Sequence, residues 1–385
     1  MNPNLKKAEM ILVAIFMMLA GAVIRYAGLS FVSFDMQGFL IPWYDKIVSG
    51  GFASLREPFS NYTPPYLYLL WLSTLTRAIL PKVAAIKLIS IAFDFCSAFL
   101  VYKILRLKYA QGTTPLLGAG AFLLLPTVLL NSAFWGQADA TYTFFLLACV
   151  YFLMKDQPLP ALIFWGLSLS FKAQAIFLAP LLLLLTLQKR IPWFYFAIVP
   201  IVYALMMIPA ALTGHSFLDL MLVYLNQADT YRGLSMHGPN LYVFIPNSLY
   251  TPGLVIGILI TVAAISAWIA VYARRVKEFT PEIILLCALA SVAIVPFFMP
   301  KMHDRYFYLA DVLSFVAAFY FPRLWFLAVG YQIVSGLAYS IFLIPSIAPM
   351  KKHIPDLILN TAALVNTAVM ALLLWMQARL IPRKS

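Results

Sequence analysis

Three short polar motifs interrupt a chain whose other residues are mostly apolar, and each motif carries side chains that could do chemistry. The motifs are Trp135–Asp139 (WGQAD), Phe171–Gln174 (FKAQ) and Lys301–Tyr306 (KMHDRY). Together they supply carboxylates, amines, an imidazole and a guanidinium. Such groups are costly at the depth of a membrane, so where they occur they usually line a pocket or a path. The motifs therefore predict a binding or catalytic site.

The candidate carboxylates are Asp35 and Asp139. Asp35 follows the first apolar segment, where it could act as a general base or orient an incoming hydroxyl; the alternative is an ordinary loop acid at a helix end. Asp139 ends the WGQAD motif, in which Gly136 allows close approach of the backbone. Trp135 and Gln137 offer an aromatic face and an amide, which together with the carboxylate suit a sugar. Asp139 could instead cap the helix that follows it.

The candidate groups for holding a phosphate are Lys172, His303 and Arg305. A buried ammonium such as that of Lys172 needs an anion, and a lipid phosphate would supply one; a lysine at a helix end can also simply extend to the membrane surface. The guanidinium of Arg305 matches phosphate oxygens, and His303 can donate a further hydrogen bond. The alternative for this motif is an ordinary loop with a local pair of Asp304 and Arg305.

The composition indicates that these motifs belong to an all-α polytopic integral membrane protein. The 385 residues are 63% hydrophobic and 11% charged, with a mean hydropathy of +0.89, whereas about a quarter of the residues of a soluble domain are charged. The apolar runs are too long and alternate too poorly for an outer-membrane barrel. The apolar segment 10–28 is long enough to cross the bilayer, which favours a first spanning helix over a signal peptide. The net charge of +13 is scattered over short loops, which favours contact with membrane lipids and not with nucleic acid.

The hydropathy pattern predicts about twelve transmembrane helices. The apolar segments of spanning length are 10–28, 84–105, 115–131, 139–154, 158–171, 173–188, 193–212, 252–273, 281–299, 306–321, 323–343 and 355–379. Basic loop residues such as Lys103, Arg106 and Lys108 then collect on one side, which the positive-inside rule makes cytoplasmic. The three polar motifs fall on the outer side. We interpret the segment 65–80 as a surface helix in a long first outer loop, about 29–83, because counting it as a span places these basic residues outside.

The chain is predicted to form one transmembrane domain over residues 1–385. In this interpretation the outer loop 29–83 carries the catalytic acid, residues of about 84–310 form the helices that bear the motifs, and about 311–385 form the C-terminal helices. Asp94 lies inside the span 84–105, where a buried acid is expected to pair with a basic neighbour.

We interpret Asp94 as structural, with Lys87 or Arg25 as its partner. No Ser-His-Asp arrangement, P-loop or glycine-rich nucleotide loop is present in the sequence, so nucleotide-sugar and ATP chemistry have no visible site.

The motifs resemble those of the GT-C glycosyltransferases. Asp35, the stretch Asn61–Pro65 (NYTPP) and the three motifs above occur in the order seen in that superfamily, over about residues 30–310. Their form resembles the prokaryotic mannosyltransferase-like relatives of the GPI mannosyltransferases and, more distantly, the dolichol-linked glucosyltransferases of the N-glycan pathway. The HDRY tetrapeptide His303–Tyr306 matches the His-Glu-Arg-Tyr form of those relatives.

This resemblance implies transfer of a hexose, mannose or glucose, from a polyprenyl-phosphate donor to a lipid-linked or glycan acceptor. It places the reaction on the outer face of a membrane, for which we expect the prokaryotic inner membrane and its periplasmic side. Asp35 is the implied catalytic carboxylate. The other implied roles are donor phosphate binding by Lys172, His303 and Arg305, and sugar or acceptor binding by Trp135, Gln137, Asp139, Gln174, Asn240 and Asp304.

No metal or other cofactor is expected, and the implied single displacement inverts the anomeric centre. Some GPI mannosyltransferases carry a paired Asp-x-Asp in the first loop, whereas this chain has Ser33 before Asp35.

Two alternative functions stay open. A flippase for lipid-linked sugars would need charges at mid-bilayer, which the outer-face motifs do not supply. Transfer to protein or to lipid A would use the same fold, but the short outer loops favour a small or lipid-linked acceptor.

Overall fold

A computed structural model describes residues 3–227, 232–344 and 353–381. Within these ranges the regular structure is helical apart from two two-residue strands, β1 (Ser235–Met236) and β2 (Met302–His303), which pair in parallel. This confirms the prediction of an all-α polytopic membrane protein. The α-helices are α1 (Pro3–Gly28), α2 (Ile41–Gly50), α3 (Pro64–Thr74), α4 (Lys82–Lys108), α5 (Thr114–Phe122), α6 (Pro126–Leu129), α7 (Asp139–Met154), α8 (Pro158–Phe171), α9 (Ala179–Leu187), α10 (Ile198–Ala211), α11 (Phe217–Met221), α12 (Val223–Gln227), α13 (Tyr250–Arg275), α14 (Pro281–Phe298), α15 (Tyr308–Tyr320), α16 (Trp325–Leu343) and α17 (His353–Leu380).

Seven helices in the described ranges are long and apolar enough to cross a membrane. They are Lys7–Gly28, Lys82–Lys108, Trp193–Ala211, Asn247–Arg275, Pro281–Phe298, Pro322–Leu343 and His353–Leu380. A bent helix pair adds an eighth candidate, and four shorter apolar helices, Asp139–Met154, Pro158–Phe171, Ala173–Leu187 and Tyr308–Tyr320, bring the apolar helical segments to twelve. Each of the twelve coincides with one predicted span, but the four shorter helices are not long enough by themselves to count as membrane spans.

The predicted span 115–131 is not one straight helix. It is divided into α5 and a second helical stretch, Pro126–Trp135, with a bend of 47° between them. Pro126 causes the break, because the residue before a proline is driven out of the helical region, and Leu125 is extended at φ −58° and ψ 127°. The second stretch passes from α6 into a π-helix, Leu130–Trp135. This π-helix ends at the first residue of the WGQAD motif.

The first loop, 29–83, is helical through much of its length. It contains a π-helix at Met36–Leu40, then α2, a 3-10 helix at Gly51–Arg56 and α3. The segment 65–80 contains all but the first residue of α3, whose eleven residues rise about 16 Å. That length is little more than half of the roughly 30 Å hydrocarbon core, so the structure supports a short helix here instead of a full span.

The chain divides into two compact units. The first comprises Met1–Tyr151, Leu159–Ala175 and Phe194–Thr230, and the second comprises Phe152–Pro158, Ile176–Trp193 and Tyr231–Ser385. In the first unit α5 packs against α1 and α4; in the second, α14 is almost wholly buried among α9, α13, α15 and α17.

A buried ion pair holds the first unit together at α1 and α4. Arg25 donates from Nη2 and Nε to Oδ2 of Asp94, at 2.8 and 3.0 Å, and both side chains are almost completely buried. Ser132 donates to the same carboxylate oxygen at 2.5 Å, and Arg25 donates to the backbone oxygen of Leu123 at 2.7 Å. Of the two predicted partners of Asp94, the structure thus confirms Arg25, and a buried charge is tolerated when it is paired and hydrogen-bonded.

Candidate active site

The carboxylate of Asp35 is held by two side chains of the WGQAD motif in the first unit. Nε1 of Trp135 donates a hydrogen bond of 3.0 Å and Nε2 of Gln137 one of 2.6 Å, both to Oδ2 of Asp35. Trp135 and Gln137 are buried, whereas Asp35 is half-buried. The carboxylate is thus held by two donors and remains accessible from outside, and its action as a general base stays a prediction.

The local backbone brings the motif up to Asp35. Gly136 ends the π-helix in the left-handed region, at φ 78° and ψ 25°, and a Cβ at this position would overlap Cε of Met36. Ser33 ties the same two segments together, because its Oγ donates to the backbone oxygen of Trp135 at 2.8 Å and accepts from the backbone N–H of Met36 at 3.1 Å. The left-handed φ and the close approach of Met36 therefore both favour glycine where the two segments touch.

Lys172 forms a second buried polar cluster with Asp139. Its Nζ lies 2.7 Å from Oδ1 of Asp139, whose Oδ2 accepts a 2.9 Å hydrogen bond from Nδ2 of Asn131. Lys172 is 8% exposed and Asp139 1% exposed. The ammonium also lies near the rings of Tyr62 and Tyr142, 5.1 and 5.9 Å from their centroids. In this structure the anion beside Lys172 is thus the carboxylate of Asp139.

Tyr62 links the two clusters. Its hydroxyl donates to Oε1 of Gln137 at 3.2 Å, while its ring lies beside the ammonium of Lys172. The ring packs between Trp43 and Tyr66, with centroid distances of 5.1 and 5.0 Å. The sequence alone indicates no role for Tyr62. Its place in the NYTPP stretch is the signal from which a role in the site could have been predicted.

Thr63, the next residue of the same stretch, holds the Lys172 turn. Its hydroxyl donates to the backbone oxygens of Ser170 and Phe171, at 2.6 and 3.1 Å. These carbonyls belong to the last turn of α8 and have no partner within the helix. The NYTPP stretch therefore fixes the chain just before Lys172 and also contacts the ammonium through Tyr62.

The HDRY tetrapeptide lies in the second unit, in a turn anchored by backbone pairing. The backbone N–H of Lys301 donates to Leu234 O at 2.7 Å, and that of Gly238 donates to Met302 O at 3.0 Å. A Cβ at Gly238 would lie 2.5 Å from the same Met302 oxygen. Only glycine at position 238 allows the backbone there to approach Met302 this closely, and the paired backbone holds the turn in place.

Within this turn the charged side chains stay close to one another. Nε of Arg305 lies 3.6 Å from Oδ1 of Asp304, and the two side chains are 15% and 6% exposed. The imidazole of His303 packs against the ring of Tyr306 at 5.2 Å between centroids. The guanidinium and the imidazole are both half-buried in this turn, and binding of a donor phosphate by them stays a prediction.

Asn240 supports the end of α14, which leads into this turn. Its Nδ2 donates to the backbone oxygens of Pro296 and Met299, at 3.0 and 2.9 Å, and its Oδ1 accepts from the N–H of Tyr242 at 3.1 Å. The hydroxyl of Tyr242 donates to Phe298 O at 2.7 Å. Asn240 is 1% exposed, so in this structure it acts on the scaffold of the turn; contact with donor or acceptor stays a prediction.

The structure brings together part of the predicted site. Gln174 is half-buried in the 3-10 helix Ala173–Leu178, and within the described residues no side-chain hydrogen bond joins it to the Lys172 cluster. The predicted residues fall in both units: Asp35, Trp135, Gln137, Asp139, Lys172 and Gln174 in the first, and Asn240, His303, Asp304 and Arg305 in the second.

Part of the chain is similar to a mannosyltransferase. It is 31% identical over 125 residues to GPI mannosyltransferase 1 of Kluyveromyces lactis. The similar stretch covers 32% of this chain and 29% of the Kluyveromyces protein. No protein-family model matches the chain. This similarity indicates a mannosyltransferase-like relationship.

Proposed function

We propose that the protein is a membrane glycosyltransferase that transfers a hexose from a polyprenyl-phosphate donor to a hydroxyl group of a lipid-linked or glycan acceptor. The observation that carries the proposal is the buried network that joins Asp35 to Trp135 and Gln137 and, through Tyr62, to Lys172. The network joins a carboxylate held by two donors to an ammonium within one compact unit, which supports a base and a phosphate-binding cation as their proposed roles. The similarity to a mannosyltransferase favours mannose over glucose as the hexose.

The chemistry proposed for Asp35 is general base catalysis. The acceptor oxygen forms a bond to the anomeric carbon while the bond from that carbon to the phosphate oxygen breaks. The proton of the acceptor hydroxyl passes to Asp35, and the electron pair of the broken bond leaves with polyprenyl phosphate. A single displacement of this kind inverts the anomeric centre.

Trp135 and Gln137 support this step by orienting the carboxylate. Trp135 is 1% exposed and directs its Nε1 at Asp35, so orientation of the base is the role that its geometry supports best. Both donors bind Oδ2, and two fixed donors hold the carboxylate plane in one direction. Stacking of Trp135 on the sugar, and contact of Gln137 and Asp139 with sugar hydroxyls, stay predictions.

The role proposed for Lys172 is to stabilise the departing phosphate. An ammonium has three N–H donors, of which one is directed to Asp139. Because the side chain is nearly buried, its charge acts in a region of low dielectric, where a preorganised cation lowers the energy of a developing anion most effectively. We propose the same function for His303 and Arg305 in the second unit, from the chemistry of their side chains.

The location and the metal requirement are also part of the proposal. We infer a reaction at the outer face of the membrane, because the positive-inside rule favours that side for the motifs. We infer a metal-independent reaction, because Ser33 stands in place of a second acid. Ser33 already uses its hydroxyl to join Trp135 O to the N–H of Met36.

The test is a transfer assay with purified protein in liposomes. Radiolabelled polyprenyl-phosphate mannose and glucose serve as donors and a membrane lipid extract as acceptor, each with and without EDTA. We expect Asp35-dependent transfer from the mannose donor that EDTA does not reduce. A flippase would instead move the donor across the bilayer with no glycosidic bond formed, which a parallel assay of donor sidedness detects. Relocation without transfer would overturn the proposal.

A further inference from the structure

A buried lysine on α4, Lys87, contacts the segment that leads to Asp35. Its side chain is completely buried, and its Nζ donates to the backbone oxygens of Gly28 and Phe31, at 2.7 and 2.5 Å. Sequence reasoning considered Lys87 only as a possible partner of Asp94. Because Arg25 is the partner of Asp94, the ammonium of Lys87 is used for a different purpose.

The two carbonyls mark the end of α1 and the turn that follows it. Carbonyl groups at the C-terminus of a helix lack partners within the helix and carry partial negative charge, so a cation there is stabilising. The bonded turn, Gly28–Phe31, ends four residues before Asp35. The ring of Phe31 also packs against Phe134, at 6.2 Å between centroids, next to Trp135. Lys87 therefore restrains the approach of the chain to the carboxylate.

The same face of α4 also contacts the WGQAD motif, the second segment that meets Asp35. The stem of Lys87 lies against Gly136, where a Cβ would be 3.4 Å from Cγ and 3.6 Å from Cε of the lysine. One turn further along α4, Ser90 donates to the backbone oxygen of Gln137 at 2.6 Å. Both segments that meet at Asp35 are thus attached to one helix at adjacent positions.

We infer that Lys87 is a positioning residue for Asp35. By holding Gly28 O and Phe31 O, it sets where the carboxylate meets Trp135 and Gln137. The effect of Lys87 on the position of Asp35 is independent of the reaction. Its effect on turnover rests on the proposed function.

The kinetic test compares Lys87→Met with Lys87→Arg. Methionine keeps the apolar stem and removes both hydrogen bonds, whereas arginine keeps a cationic donor. We expect Lys87→Met to lower kcat by about 100-fold, the order of magnitude of a 1 Å misplacement, with the KM for polyprenyl-phosphate mannose unchanged. Lys87→Arg should recover most of the rate. The matched control is Gln377→Met in the second unit. Gln377 is equally buried, and its Oε1 accepts a 3.0 Å hydrogen bond from Nε1 of Trp268, which methionine removes.

A second measurement does not depend on activity. A hydrophobic carbodiimide modifies accessible carboxyl groups in membranes, and mass spectrometry of the Asp35 peptide gives the rate of modification. We expect a changed rate in Lys87→Met, the wild-type rate in Gln377→Met, and a rate close to wild type in Lys87→Arg. If Lys87→Met does not accumulate as folded protein, Lys87→Leu, which also lacks a donor, serves in both measurements.

The outcomes separate the two proposals. An unchanged modification rate at Asp35 in folded Lys87→Met would overturn the inference, and so would a loss of kcat that Gln377→Met reproduces at equal loss of stability. If the wild-type protein transfers no sugar while Lys87→Met still changes the modification of Asp35, the positioning role stands and the proposed function fails.

Discussion

Nε1 of Trp135 donates a 3.0 Å hydrogen bond to the carboxylate of Asp35, which lies 100 residues earlier in the chain. Both partners lie next to or within a π-helix, Met36–Leu40 after Asp35 and Leu130–Trp135 ending at the indole. Single π-turns inside helical proteins frequently occur at functional sites, because they re-aim side chains that a regular helix would direct elsewhere. The pair therefore joins two irregular segments at the point where an oriented base is proposed.

Replacing Gly136 with alanine is expected to disrupt this meeting of segments. The left-handed φ of 78° costs a residue with a Cβ about 1–2 kcal/mol, and the new methyl group would also overlap Met36. We expect a lower unfolding temperature together with loss of transfer. Gly38→Ala is the matched control, since a Cβ there meets no atom within 4 Å. Wild-type stability and turnover in Gly136→Ala would show that the contact is not required.

Variants of Lys172 and Asp139 are expected to change the free energy of unfolding and the rate of transfer by different amounts. Removing one member of a buried ion pair leaves an uncompensated charge and costs about 3–5 kcal/mol, so Lys172→Met should lower the free energy of unfolding by about that amount. Adding Asp139→Asn removes the stranded charge and should restore part of the loss. Transfer should stay low in the double variant, because the cation for the phosphate is still missing. Unfolding titrations and donor turnover measure the two effects, and a double variant with wild-type turnover would exclude Lys172 as a phosphate ligand.

Tyr62 is expected to contribute through its hydroxyl and its ring separately. Tyr62→Phe removes only the hydrogen bond to Gln137, which is worth about 0.5–1.5 kcal/mol, so kcat/KM should fall by a factor of about ten or less. Tyr62→Leu also removes the ring beside Lys172 and should raise the KM for the donor. Tyr68→Phe loses a comparable hydroxyl, bonded to Met206 O at 3.0 Å, and should keep wild-type kinetics. Equal kinetics for Tyr62→Phe and Tyr62→Leu would mean that the ring has no role.

The positions of the apolar helices could be predicted from the sequence because hydropathy is a local property. Each predicted span coincides with an apolar helical segment in the structure. The break before Pro126 was missed, although the proline itself was visible, because a window of apolar residues averages over one turn. The π-helix that ends at Trp135 has no recognised signal in the residue pattern.

The types of the site residues could be predicted, but their pairings could not. Lys172 was recognised as a cation in need of an anion, yet its partner Asp139 lies 33 residues earlier, and spacing of this kind carries no information on contact. Lys87 was visible as a charge in an apolar helix. Its hydrogen bonds to the backbone carbonyls of Gly28 and Phe31 could not be predicted. Any carbonyl group can accept a hydrogen bond, and the sequence does not show which one is near the ammonium.

The most direct measurement compares wild-type protein with Asp35→Asn in liposomes, scoring polyprenyl phosphate released and glycosidic bonds formed from the mannose donor. If Asp35 is the general base, Asp35→Asn should lose about 10²–10⁴-fold in turnover with donor affinity unchanged. Asp45→Asn serves as control, because that carboxylate is half exposed and paired with Lys82 at 2.7 Å. Transfer by Asp35→Asn at the wild-type rate would contradict the assignment of Asp35 as the base.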